Sequence, residues 1–209
     1  MRPLPVPPRP RPLPRSVVQI VVGLAASALL AACGGGGGPN PQADRFASLE
    51  SEGRRLNDLY GMAAPTPVAD LPAGRATYAG VGAYSTSVDP QAAIASPDAL
   101  SRVTLEADFD ADTLTGSFSD FVLVTPGGGA DSRAVDGALR LDDGTMAGGR
   151  IEGDLSGRLA IEGEMPANVA ASLDGQVVGP AGEAITGEVR TTFVPGFDSQ
   201  MSGVIVAER

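Results

Sequence analysis

Residues 150–164 read "RIEGDLSGRLAIEGE", and their apolar and glycine positions are nearly all odd: Ile151, Gly153, Leu155, Gly157, Leu159, Ile161 and Gly163. A period of two puts one set of residues on each face of an extended strand, whereas a helical face needs a period near 3.6. A hairpin keeps the apolar sets of both its strands on one face, without a change of parity, only when its loop has an odd number of residues. This reading places a three-residue loop at Leu155-Ser156-Gly157, with Gly157 in the left-handed position.

The alternation extends outward in both directions. In "VTLEADFDADTLTGSF" (103–118) the apolar set is odd at Val103, Leu105, Ala107 and Phe109, then even at Leu114, Gly116 and Phe118. That switch requires an even loop, either Ala111-Asp112 or the four residues 110–113. From Arg75 onward, strands are expected near 76–84, 102–110, 113–123, 134–141, 146–154, 158–164, 168–179, 184–193 and 200–207, and no run there has a helical period. Glycines recur on the apolar face of several of these strands, where they mark strong bending or close backbone approach. A sheet coiled that tightly can close. The expected fold class is therefore all-β, an eight-stranded antiparallel β-barrel over 75–209, with a two-sheet sandwich as the rival.

Upstream, residues 42–61 carry Phe46, Leu49, Leu56, Leu59 and Tyr60 at spacings of one helical stripe, with Gly61 as a C-cap. Gly53 interrupts this amphipathic helix at a cost of about 1 kcal/mol. Residues 62–74 read as an extended connector, because their prolines exclude helix.

Composition narrows the chemistry. All 15 basic residues are arginine, against 25 acids, and there is no lysine or histidine. Residues 1–32 hold four of the arginines and no acid, so the remaining chain has a net charge of −14 rather than −10. An acidic body with few aromatics is unsuited to nucleic acid, and its own surface does not favour anionic lipid. Without histidine there is no Ser-His-Asp or Cys-His machinery and no imidazole metal ligand. Without lysine there is no Schiff base and no phosphate-binding lysine loop. Paired carboxylates are the remaining catalytic option, but the acids are scattered at turns and alternating strand positions, as on a solvated face. No enzyme activity, catalytic residue, cofactor or metal site is expected.

The single cysteine, Cys33, lies in "LLAACGGGGG" (29–38), between two alanines and five glycines. It has no partner for a disulfide and no histidine to activate it. Before it stand an arginine- and proline-rich start (1–16) and an uncharged apolar run (17–30), the form of a secretory leader. That run is shorter than the roughly 20 apolar residues a spanning helix needs. Leu30-Ala31-Ala32-Cys33 resembles the lipobox of bacterial lipoproteins. The resemblance implies removal of a signal peptide, 1–32, and a diacylglycerol on the Cys33 thiol, followed by a Gly/Pro tether within 33–41. Gly34, where an aspartate would retain such proteins at the inner membrane, favours the outer membrane.

Three segments, "ADLPAGRATYAGVGAY" (69–84), "LEADFDADTLTGSFSDF" (105–121) and "LDGQVVGPAGEAITGEV" (173–189), together resemble the β-barrel domain of transferrin-binding protein B-like surface lipoproteins. In the third, Gly175, Gly179, Pro180, Glu183 and Gly187 match the family pattern. Val177 and Val178 replace its aromatics, and Thr186 stands where glycine or alanine is common. The resemblance spans about 69–209 and implies one lipid-tethered barrel without a handle domain, at the cell surface or facing the periplasm. It also implies a binding rather than a catalytic role. The membrane is then a partner through the lipid on Cys33. A protein partner would be contacted through loops 88–100 and 125–134, the longest without periodicity, by a monomeric chain. Two alternatives stand beside this reading: a carrier of haem or an apolar ligand inside the barrel, and a structural envelope lipoprotein. Haem would have to use Tyr60, Tyr78, Tyr84 or a methionine, although Tyr78 and Tyr84 fit packing on the first strand.

Overall fold

Alternating apolar residues become eight strands, each antiparallel to the next: β1 (Arg75–Ser85), β2 (Ala99–Asp108), β3 (Thr113–Leu123), β4 (Arg133–Ala147), β5 (Arg150–Ile161), β6 (Ala167–Val178), β7 (Ala184–Thr191) and β8 (Ser202–Glu208). β8 pairs back onto β1, with Gly80 opposite Ala207 and Gly82 opposite Ile205, so the barrel is closed. A computed structural model describes residues 40–87, 89–124, 132–161, 163–191 and 200–209 of this protein. The leader, Cys33 and residues 125–131 of the second expected loop lie outside the described residues.

The barrel expectation holds, but the opening stretch is not a hairpin. Residues 150–161 form the single strand β5, and Gly157 sits inside it opposite Leu139. An odd loop and no loop at all leave the same parity, so alternation alone could not separate them. The real turn is Gly148-Gly149, with φ of +59° and +84°, the two-residue geometry that suits the twist of a hairpin. The expected breaks at 142–145 and 155–157 are correspondingly replaced by continuous strand. Asp142-Asp143 is a β-bulge in β4, where the register with β5 shifts between Leu141 and Thr145. The bulge moves the inward set from Leu139 and Leu141 to Gly144 and Met146, which in sequence looks like a turn.

The even loop is found, one residue earlier than read: Asp108 pairs with Thr113 across the four residues 109–112. β2 begins earlier than expected because Ala99, Leu100 and Ser101 are all buried, which hides the alternation. One missed turn of helix, α2 (Ala92–Ala95), lies between β1 and β2.

The reason for that two-sided burial is α1 (Pro41–Tyr60), which lies along the outside of the barrel. Its Phe46 and Leu49 pack on Val81, Leu100 and Val122, the outward residues of β1, β2 and β3. Leu56 is also fully buried, whereas Leu59 is 58 % exposed and does not join the stripe. Burying each such side chain contributes about 1.5–3 kcal/mol. Ion pairs follow the helix across the wall, from Arg45–Asp120 through Glu52–Arg102 to Arg55–Glu208.

Candidate functional site

The two ends of the barrel differ. One carries short turns (109–112, 148–149 and 179–183) and is plugged by the connector. Thr66 donates its N–H to Val177 O at 2.9 Å and its hydroxyl to Gly179 O at 2.6 Å. Gly179 N–H donates to Ala64 O at 3.1 Å, and Leu71 packs against the core. The turn after β6 follows its sequence: Gly179 and Gly182 have φ of +90° and +68°, and Ala181 N–H donates to the Glu183 carboxylate at 3.0 Å.

The other end carries the long connections and the first expected contact loop, 88–100. Its described part is tied down by Asp98. One carboxylate oxygen of Asp98 accepts from Thr86 N–H at 2.9 Å, Thr86 hydroxyl at 3.1 Å and Ser85 hydroxyl at 3.3 Å. Its backbone N–H donates to Tyr84 O at 2.8 Å, and Val124 N–H donates to its carbonyl at 2.8 Å. Ala93, Ala99 and Leu100 are buried, so the surface of this segment is Asp89, Gln91, Ala95 and Ser96. Of 125–134, only Ser132, Arg133 and Ala134 are described.

The barrel interior is filled. Tyr78, Leu105, Leu114, Phe118, Leu141 and Ile185 have no measurable exposure. A small void between inward side chains, beside Tyr84, Phe121 and Met201, is about 20 Å³, room for about one water. The inward glycines admit neighbouring backbone, the close approach expected of them. A Cβ on Gly80 would lie 2.0 Å from Val206 O, and one on Gly157 would lie 2.0 Å from Ala138 O.

Both barrel tyrosines are spent on packing. The Tyr78 hydroxyl donates to Gly182 O at 2.9 Å, and the Tyr84 and Ser101 hydroxyls share a hydrogen bond of 2.9 Å. Burial pushes both phenols above the ordinary tyrosine value of 10, Tyr84 the more strongly, with the Ser101 hydrogen bond opposing it. A raised folded-state value means the native state holds the proton more tightly than the unfolded chain. Its stabilisation is complete below pH 10 and is lost as pH rises through the folded-state value. In an alkaline titration Tyr84 should ionise only together with unfolding. Tyrosinate absorbance rising to all three phenols with the strand circular dichroism intact would show that this site is open.

Acids of β4, β5 and β6 lie on the outer wall. An open depression of about 680 Å³ over β4–β6 is lined by Arg140, Asp142, Asp143, Glu152, Asp154 and Asp174, among others. Arg150 bridges Glu152 and Asp174, each at 3.1 Å. Among the described residues no group of three or more acids or thiols is placed to hold a metal. A second depression of about 550 Å³ runs between the end of α1 and the outer face of β6–β8.

Two structural residues were missed by the sequence reading. Asn40 caps α1 through Gln42 N–H at 3.0 Å and donates its side-chain amide to Ser132 O at 3.1 Å. An asparagine before a proline at the first helical position was the available signal. Asp120 has φ +57° at a bulge in β3, between Ser119 and Phe121, and meets Arg45. An acid interrupting "SFSDFVL" was its only trace.

No protein-family model matches the chain, and no curated protein matches it. Among solved structures it is similar to transferrin-binding protein B of Haemophilus parasuis, at 18 % identity and a TM-score of 0.40, covering 69 % of this chain and 28 % of that one. Intact Ap-TbpB, with N and C lobes, gives the same values. Isotype 1 of the protein from serogroup B Neisseria meningitidis gives 12 % identity and a TM-score of 0.37, covering 70 % and 27 %. The chain thus spans under a third of the length of these structures. The closed barrel itself rests on the strand pairing above.

Proposed function

We propose that this chain is a non-catalytic lipoprotein of the outer membrane, held by a lipid on Cys33, whose barrel contacts a protein partner through its outer surface. The observation that carries this reading is the packed interior: Tyr78, Leu105, Leu114, Phe118, Leu141 and Ile185 are fully buried inside the barrel, so recognition belongs to its outside. An interior guest such as haem needs several hundred Å³. Of the groups that could ligate it, the two barrel phenols, Tyr78 and Tyr84, are already bonded within the wall. The acids on the outer wall are solvated or paired with arginine, as in a surface that carries charge without turning over a substrate.

Two measurements test this. Added haem, or an apolar fluorescent probe, should leave the spectrum of the purified protein unchanged; a stoichiometric Soret band overturns the surface-contact reading in favour of carriage. In intact envelopes, a photocrosslinker at Gln91 or Ala95 of the first expected contact loop, or at Ala181 on the opposite end, should give a discrete protein adduct. Absence of adducts from every one of these exposed positions counts against a protein partner.

A further inference from the structure

We infer that Met62 and Met165 are reversible modification sites, surface thioethers that each take one oxygen atom from a two-electron oxidant while the barrel stays intact. The inference is independent of the lipid on Cys33 and of the protein partner proposed above.

The chain offers such oxidants few other targets. It has no lysine, histidine or tryptophan, whose amine, imidazole and indole otherwise compete for hypochlorous acid. Tyr78 and Tyr84 are buried. Apart from Cys33, what remains is methionine, whose soft sulfur lone pair attacks electrophilic oxygen.

The four methionines among the described residues fall into two pairs. Met62 is 98 % exposed and Met165 88 %, whereas Met146 and Met201 are 1 % and 3 % exposed. Both exposed side chains hang from backbone that hydrogen bonds hold. Ala63 N–H donates to Tyr60 O at 3.0 Å around Met62, and Glu164 N–H donates to Ile161 O at 2.9 Å just before Met165. Neither side chain belongs to an apolar cluster of the core, while Met146 and Met201 do. Met146 pairs with Ile151 in the β4–β5 ladder, and the Met201 N–H and carbonyl are both bonded to Thr191. An oxidant reaches those two sulfurs only when strands part.

The reaction balances without a cofactor. With hydrogen peroxide, the sulfur lone pair forms the S–O bond as the O–O bond breaks. The transferred oxygen gives its proton to the departing hydroxide, which leaves as water. Hypochlorous acid releases chloride and a proton instead. Sulfur is oxidised by two electrons and the oxidant is reduced by two. A dithiol-dependent reductase reverses the step, releasing the oxygen as water while its dithiol becomes a disulfide. The product changes the surface and not the frame. At the plugged end it places a polar S–O group where Leu59 and Val68 are also exposed.

The test exposes the full-length chain to hydrogen peroxide, in buffer and in denaturant, and follows each methionine by mass spectrometry. Cleavage after arginine puts the four on separate peptides, 56–75, 141–150, 159–190 and 191–209, and Cys33 on a fifth, 16–45. In buffer, peptides 56–75 and 159–190 should each gain one oxygen at least about tenfold faster than 141–150 and 191–209, with the strand circular dichroism unchanged. In denaturant the four rates should converge. A methionine sulfoxide reductase with a dithiol should return both oxidised peptides to their starting mass. Parallel oxidation of all four in the folded protein overturns the assignment, as does a rate difference that survives denaturant. Oxygen that the reductase cannot remove overturns its reversibility.

Discussion

Gly80→Ala should open the barrel at its seam and lower stability by about 3 kcal/mol or more, at the upper end of what overpacking costs. Gly80 lies on β1 opposite Ala207 of β8, in the one ladder that turns a meander into a closed barrel. A Cβ there would meet Val206 O at 2.0 Å and Ala207 Cα at 2.5 Å. These are backbone atoms held by ladders on both sides, so they cannot swing away as the tip of a side chain can. Moving them separates β1 from β8 and exposes two strand edges, which promote association between chains. A melting temperature lower by about 2–4 °C per kcal/mol, with added light scattering, is the expected readout. Gly53→Ala is the control: its Cβ meets Val81 Cγ1 at 3.4 Å, an ordinary contact. On a helix that change should stabilise by about 0.5–1 kcal/mol. A Gly80→Ala protein as stable as its parent would show that the seam is looser than this geometry requires.

Cys33→Ala should abolish acyl labelling and remove the protein from the outer-membrane fraction. Thioether formation needs sulfur, so neither alanine nor serine can accept the diacylglycerol. No helix among the described residues is long and apolar enough to cross a membrane, and residues 33–209 carry a net charge of −14. Each buried acyl methylene contributes about 0.8 kcal/mol, and stable anchoring takes more than one chain. The melting curve of the released body should match that of the parent. A variant that kept full acyl incorporation at the outer membrane would end the anchor assignment.

Much of the wall was legible one residue at a time. The parity switch between Ala107 and Leu114 required an even loop, and four residues fill it. The turn at 179–183 was written in Gly179, Pro180, Gly182 and Glu183, all short-range devices. The helix stripe gave Phe46, Leu49 and Leu56 but overreached to Leu59, because periodicity does not say where the supporting wall ends.

The sequence by itself determined an antiparallel all-β body, glycines on its inner face and a helix before it. Local pattern suffices there, since strand period, helical stripe and turn φ angles each depend on neighbouring residues. Tertiary structure alone decided that Asp142-Asp143 bulges while Gly148-Gly149 turns, because both interrupt alternation and only the register of β5 distinguishes them. It also decided that Asn40, at the start of α1, lies against Ser132 at the long-loop end of the barrel. Those outcomes depend on which distant segments lie against one another, and alternation along a single chain carries no record of that.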